Sequence, residues 1–134
     1  LLSFGGKQLG DIPMGPAMSF RELLDRYARG ERDFAESDLD TDPDNDLSGA
    51  RLDGIDLSRS FIFASFRGAS LKGARFRMAN VKTCDFTGAD LSGADFTEAA
   101  LCATQFGGAQ MEGARFEGAF YHSYTLQAGK LPDW

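Results

Sequence analysis

Few residues in this sequence are equipped for chemistry. His122 is the single histidine, and it stands beside Tyr121 with no cysteine or carboxylate at metal-ligand spacing. It reads as a surface residue. Cys84 and Cys102 are too few for a disulfide framework. In the repeat described below, Cys84 falls at an inward position and Cys102 at an outward one, so no bridge is expected between them. No activating neighbour of Cys102 is visible in sequence. Asp38, Asp40, Asp42, Asp44 and Asp46 alternate as in a calcium loop. Counted from Asp38 or Asp40, the sixth residue is Pro43 or Asn45 where an EF-hand needs Gly. The twelfth is Gly49 or Arg51 where it needs Glu. The expectation is a solvated acidic loop, with a non-EF calcium site left open. Gly6-Lys7 is followed by Gln8 and lacks Walker spacing, and no nucleophile–base signature appears. Catalytic residues, metal ligands and a cofactor site are therefore not assigned, and an enzyme is not expected.

The elements that position these residues follow from a repeat. Stepping in fives from Phe66 meets Leu71, Phe76, Val81, Phe86, Leu91, Phe96, Leu101, Phe106, Met111, Phe116, Tyr121, Leu126 and Leu131. Every one is apolar. With 43% apolar residues, chance would produce this roughly once in a hundred thousand tries, so the period is real. Two residues before each centre the sequence favours Ala, as at Ala64, Ala74 and Ala94. Two residues after, it favours Gly, as at Gly68, Gly88 and Gly113. Neither the helical nor the strand period gives this pattern. One large and one small residue in each five point inward, and the Gly permits a tight corner. Such a chain coils, each turn stacking on the last.

Ala89-Asp90-Leu91-Ser92-Gly93 and Ala94-Asp95-Phe96-Thr97-Glu98 resemble the A-(D/N)-L-x-x motif of pentapeptide-repeat proteins. The resemblance covers about 47–131. It implies an all-β solenoid: a right-handed, four-sided β-helix of about four coils, with four pentapeptides to a coil and the centre residues stacked inside. A twenty-residue coil sorts the phenylalanines into two ladders, Phe66, Phe86 and Phe106 opposite Phe76, Phe96 and Phe116. Leu71, Leu91, Met111 and Leu131 make a third side, and Val81, Leu101 and Tyr121 a fourth. Leu47, Leu52, Leu57 and Ile62 share the period, but Ile62 to Phe66 is one residue short, which predicts a local irregularity. Phe34 and Leu39 read as a degenerate first pair, with an insert over 40–46.

Both ends of such a solenoid need covering. Ser19 and Glu22 form a capping box, Met18 and Leu23 a hydrophobic staple, and Phe20, Leu23, Leu24 and Tyr27 an apolar helical face. With Gly30 as the stop, a short capping helix is predicted over Phe20 to Arg29. The organisation is then an N-terminal extension over 1–18, a capping helix over 19–30, and the β-helix with its C-terminal cap over 31–134. At the far end Phe120, Tyr121, Tyr124 and Trp134 form an aromatic cluster, read as a cap or as a homodimer seam.

The net charge of −6 favours solubility and argues against general nucleic-acid binding. No apolar run is long enough for a membrane span. Leu1 to Gly10 lacks the features of a secretory signal, so the cytoplasm is the expected compartment. Met14 and Met18 are both candidate natural starts, in which case the residues before them are an added extension or a leader. Charge is banded. Residues 30–58 are strongly acidic, 59–84 hold Arg59, Arg67, Lys72, Arg75, Arg77 and Lys82 with no acid, and 85–99 are acidic again. Arg67, Lys72, Arg75, Arg77 and Lys82 form a candidate docking collar for a protein partner. The competing reading pairs them with the acidic coils: Asp56, Arg75, Asp95 and Arg115 fall in one column, and Asp53 falls beside Lys72. The function expected is a non-catalytic protein-binding scaffold without cofactor, of bacterial type. The alternative, which the family resemblance implies, is a DNA mimic that binds a type II topoisomerase and protects it from quinolones. A continuous lattice of carboxylates would be needed for that, and the basic band interrupts every face.

Overall fold

The computed structural model describes residues 3–4, 7–8 and 17–134. Strands β1 (Ser3–Phe4) and β2 (Lys7–Gln8) pair antiparallel. Met14, like most of the 1–18 extension, lies outside the described residues, but Ala17 and Met18 join the solenoid and not an extension: Ala17 bridges Asp38, and the Met18 N–H donates to the Asp38 carbonyl at 2.9 Å. Among these residues no helix is long and apolar enough to cross a membrane.

Helix α1 (Phe20–Ala28) begins where the capping pattern places it. The Glu22 N–H donates to Ser19 Oγ at 3.1 Å, which satisfies one of the free donors of the first turn. The Glu22 carboxylate turns along the helix to Arg26, at 3.5 Å, rather than back to Ser19. Phe20 and Leu23 are buried, Met18 and Tyr27 pack at the margin, and Leu24 is exposed, so the apolar face is narrower than its sequence spacing indicates. The Tyr27 hydroxyl donates to the Asp53 carbonyl at 2.6 Å, tying the helix to the solenoid.

From Asp33 onward, and already at Ala17 before the helix, the backbone pairs with itself at long, regular intervals. Four columns of parallel bridges run along the body. The first is Asp46, Ser65, Asp85 and Gln105; the second is Arg51, Ser70, Asp90 and Gln110. The third is Asp33, Asp56, Arg75, Asp95 and Arg115. The fourth is Ala17, Asp38, Phe61, Asn80, Ala100 and Phe120, and includes β3 (Asp38–Leu39) and β4 (Phe61–Ile62). Later partners are twenty residues apart, four pentapeptides. The shorter step across Ile62 to Phe66 is the missing residue, and the longer step from Asp33 to Asp56 and from Asp38 to Phe61 is the acidic insert.

Each pentapeptide makes one bridge and one corner. The Phe66 N–H donates to the Asp85 carbonyl at 2.7 Å, the Asp90 N–H to the Ala69 carbonyl at 2.9 Å, and the Ala69 N–H closes the corner on the Phe66 carbonyl at 3.0 Å. Backbone groups in the interior are thus paired coil to coil. Corners need left-handed backbone. After the first and second columns they are glycine, as at Gly68 (φ 65°) and Gly93 (φ 70°). After the third column they are Glu36, Arg59, Met78 and Glu98, at φ 57–59°, and only the last, Gly118 (φ 74°), is glycine.

The core is the set of inward residues. Phe66, Phe76, Phe86, Phe96 and Phe116 are fully buried, as are Leu52, Leu71, Leu91 and Leu101, with Ala74 and Ala94 beside them. The phenylalanines form the two expected ladders. Rings stack at 5.0 Å (Phe66, Phe86) and 4.8 Å (Phe96, Phe116), and meet edge to face across the interior at 5.5 Å (Phe86, Phe96).

The period stops earlier than its sequence trace. Ala114 and Met111 are only half-buried, because no coil follows theirs, and Leu131 is exposed rather than stacked on Met111. The chain turns back in a hairpin, β5 (Phe120–Tyr121) against β6 (Tyr124–Thr125), and Leu126 is buried under Ala119 through their backbone bond of 2.8 Å.

Candidate interaction surface

The outward Asp residues of one coil are each held from two directions. The Thr87 N–H donates to Asp85 Oδ1 at 2.9 Å and its hydroxyl donates to the same oxygen. Ser92 does this for Asp90, and Thr97 for Asp95. The other carboxylate oxygen faces a cation of the preceding coil: Arg67 to Asp85 at 3.0 Å, Lys72 to Asp90 at 3.8 Å, Arg77 to Asp95 at 3.0 Å. Partial burial pushes the Asp85 and Asp95 carboxyls up, but the Thr bonds and the facing guanidinium outweigh it and hold both below the usual carboxylate range. The Ser92 bonds, with Lys72 adding to them, do the same for Asp90. The signal was present in sequence as Asp-x-Ser/Thr, the pattern of an Asx turn.

Two expected pairings are corrected. Asp56, Arg75, Asp95 and Arg115 do share a bridge column, but the ion pairs do not follow it: Asp95 goes diagonally to Arg77 of the preceding coil, and Arg115 goes to Glu117 two residues along its own coil at 3.4 Å. Asp53 accepts from the Lys72 backbone N–H at 2.9 Å and the Ser70 hydroxyl at 2.6 Å, while the Lys72 ammonium goes to Asp90. Alternating side chains lean along the strand, so a carboxylate already bonded forward reaches back across the corner rather than straight down its column. Of the five residues of the basic collar, Arg67, Lys72 and Arg77 are therefore engaged within the chain. Arg75 and Lys82 are exposed and make no ion pair among the described residues.

The acidic insert does structural work at its centre. Asp42 Oδ2 accepts the Phe20 N–H at 2.9 Å, at the start of α1, and Oδ1 accepts the Asp44 N–H at 2.9 Å. The bond from Phe20 chiefly holds the Asp42 carboxyl below its ordinary value. His122 is exposed, and its backbone N–H donates to Cys102 Sγ at 3.2 Å. Cys84 and Cys102 are free thiols. Burial pushes the Cys84 thiol up to about 12.

At the C-terminal end the four aromatic residues divide. Trp134 supplies the carbonyl that the Phe106 N–H meets at 3.0 Å, where a further coil would have stood, and its ring lies 6.3 Å from Phe106 and 5.1 Å from Tyr121. Its indole nitrogen is buried with no hydrogen-bond partner among the described residues. Phe120 and Tyr124 face outward and are exposed. Trp134 and Tyr121 thus cover the core, and Phe120 and Tyr124 do not.

The repeat also matches a known family in sequence. The family model for pentapeptide repeats matches eight copies, over residues 44–82, 60–88 and 83–118. No curated relative matches the chain by sequence. Among solved structures, a pentapeptide repeat protein from Nostoc PCC 7120 is 30% identical over 79% of this chain and 82% of its own, with a TM-score of 0.44. HetL, involved in heterocyst differentiation regulation in Nostoc sp. strain PCC 7120, is 29% identical over 76% of this chain and 46% of its own, with a TM-score of 0.44; this chain spans under half of it. Full-length QnrB1, a plasmid-mediated fluoroquinolone resistance protein, is 18% identical over 75% of this chain and 62% of its own, with a TM-score of 0.39. The repeat, the stacked interior and the family match over more than half its length make this chain a member of the pentapeptide-repeat family.

Proposed function

We propose that this protein is a non-catalytic scaffold that binds another protein, without a cofactor, in the bacterial cytoplasm. Its working body is the family's right-handed, four-sided β-helix of about four coils, closed at the start by α1 and at the end by Trp134. One observation carries the reading. The inward positions are taken by apolar side chains apart from hydroxyl residues such as Ser60 and Thr104, while charged residues stand outward on columns whose neighbours are set about 4.8 Å apart by strand pairing. A rigid surface of that kind recognises a partner with little ordering cost.

The DNA-mimic alternative is disfavoured, because Asp85, Asp90 and Asp95 are each neutralised by a cation of the neighbouring coil. A basic DNA-binding surface would meet ion pairs there instead of free carboxylates. Affinity capture from a native lysate with mass spectrometry tests the scaffold reading. A saturable protein partner is expected, weakened when Arg75 and Lys82 are both changed to Ala. A gyrase supercoiling assay tests the alternative: inhibition or quinolone protection, lost on charge reversal at Asp85, Asp90 and Asp95, would replace the scaffold reading.

A further inference from the structure

We propose that the face carrying the fourth bridge column is the docking surface, and that its occupant is an acidic segment of another protein bearing apolar side chains. This inference rests on the scaffold reading and assigns it a site.

The faces are not equivalent. At every position of the first, second and third columns the outward residue is polar or charged. The fourth column alone includes large or small apolar residues beyond Ala17: Phe61 and Ala100, both buried, and Phe120, which is exposed. Its centre is the bridge between Phe61 and Asn80. Two residues before that bridge stand Arg59 and Met78, and two residues after it stand Phe63 and Lys82. Register therefore places two apolar side chains on one diagonal and two cations on the other. Met78 is 52% exposed and Phe63 is 42% exposed. Between α1 and the C-terminal hairpin they are the only exposed large hydrophobic residues among those described. Met78 also sits at a left-handed corner, φ 57°, where the first two columns use glycine. A long apolar side chain held at a strained, solvent-facing corner has no packing reason to be there.

The chemistry of the occupant follows from charge. The chain carries −6 overall, yet this face holds positive charge with little neutralisation. Arg59 has only a 3.9 Å contact with Glu36, and Lys82 makes no ion pair among the described residues. Arg75, exposed in the adjoining column, makes none either. A second copy of this chain would set Arg59 and Lys82 against their own kind. A nucleic acid, with a phosphate at every step, would run past Glu36 in the row before and Glu98 in the row after, whereas a short segment needs carboxylates only beside Arg59 and Lys82. A protein segment with carboxylates flanking apolar side chains matches both diagonals.

The test uses fluorescence anisotropy on the full chain with three synthetic peptides: leucines flanked by glutamates, a twin with lysine for glutamate, and a twin with serine for leucine. Only the glutamate–leucine peptide is expected to bind. Met78→Asp or Lys82→Glu should weaken it at least about tenfold, and Arg51→Glu in the second column should leave it unchanged. Both targeted side chains are exposed, and the milder Met78→Gln, checked by circular dichroism, serves if Met78→Asp disturbs folding. Absence of binding, equal binding of either twin, or an equal loss in Arg51→Glu overturns the proposal. So does a dimer in sedimentation that Met78→Asp dissociates, which would make the occupant a second copy. A photo-cross-linking residue placed at Met78 or at Arg51 separates this inference from the reading beneath it. In a native lysate, capture at Met78 that the glutamate–leucine peptide displaces supports the proposal. Capture at Arg51 alone overturns it and leaves the scaffold reading standing, and capture at neither overturns both.

Discussion

The ring of Phe96 lies face to face with that of Phe76 one coil away, centroids 4.7 Å apart and planes 7° from parallel. The same ring meets Phe86 and Phe106 edge-on at 5.5 and 5.9 Å. Phe96 thus touches both aromatic ladders at once, with no solvent exposure. Phe96→Ala should cost about 3–5 kcal/mol, the range for emptying a buried aromatic site. Ala94→Leu should cost about 1–3 kcal/mol by overpacking the coil. Chemical denaturation of each variant checks both; an unchanged midpoint for Ala94→Leu would contradict the tight inward site.

Acid should destabilise the fold through Asp85, Asp90 and Asp95. Their folded values are lowered, so the stability they contribute is fully present above the unfolded carboxylate value of about 3.9 and is lost as pH falls through the folded values. The melting temperature should therefore fall below about pH 4. In Thr97→Val, which removes a hydroxyl bond to Asp95, that pH dependence should be smaller.

Gly93→Ala isolates the cost of a left-handed corner. A Cβ there would meet Gly73 N at 3.9 Å, an ordinary contact, so crowding is not the issue. At φ 70° the substitution should still destabilise by about 1–2 kcal/mol. A melting curve that shows no loss would mean that corner glycines are present for some reason other than backbone conformation.

The two thiols should separate cleanly. Cys102 is half-buried, whereas Cys84 is buried and protonated, its thiol pushed up to about 12. In the native protein a disulfide reagent at pH 8 should label Cys102 and leave Cys84 untouched until denaturant is added. Peptide mapping by mass spectrometry identifies which cysteine reacts.

The C-terminal aromatic residues should have different phenotypes. Trp134→Ala removes the residue that closes Phe106 and should cost about 2 kcal/mol, less than a fully buried aromatic because Trp134 keeps some exposure. Phe120→Asp should leave the fold intact. If Phe120 and Tyr124 form a dimer seam, light scattering should show a dimer for the wild type and a monomer for Phe120→Asp; a wild-type monomer at high concentration removes the seam.

The inward residues were legible because their constraint is local. A centre such as Phe76 and its companion Ala74 face the interior in every coil, so the same chemistry recurs every five residues whatever lies outside. The missing residue after Ile62, the acidic insert and the N-cap at Ser19 were legible for the same reason, as breaks in a regular pattern or as a known local signal. Side-chain pairing was not. Asp95 could have met Arg75 or Arg115 in its own column, and only the direction in which each side chain leaves its corner sends it to Arg77. The C-terminal end was hidden in the same way. Leu131 keeps the five-residue step but is 45% exposed, because Trp134 and the hairpin occupy the place of a further coil, and no spacing reports which segment gets there first. The sequence by itself therefore determined the family, the inward set and the twenty-residue coil. The tertiary structure decided which charges are neutralised, where the stack ends and which face is left both apolar and cationic, because those depend on contacts between residues in different coils.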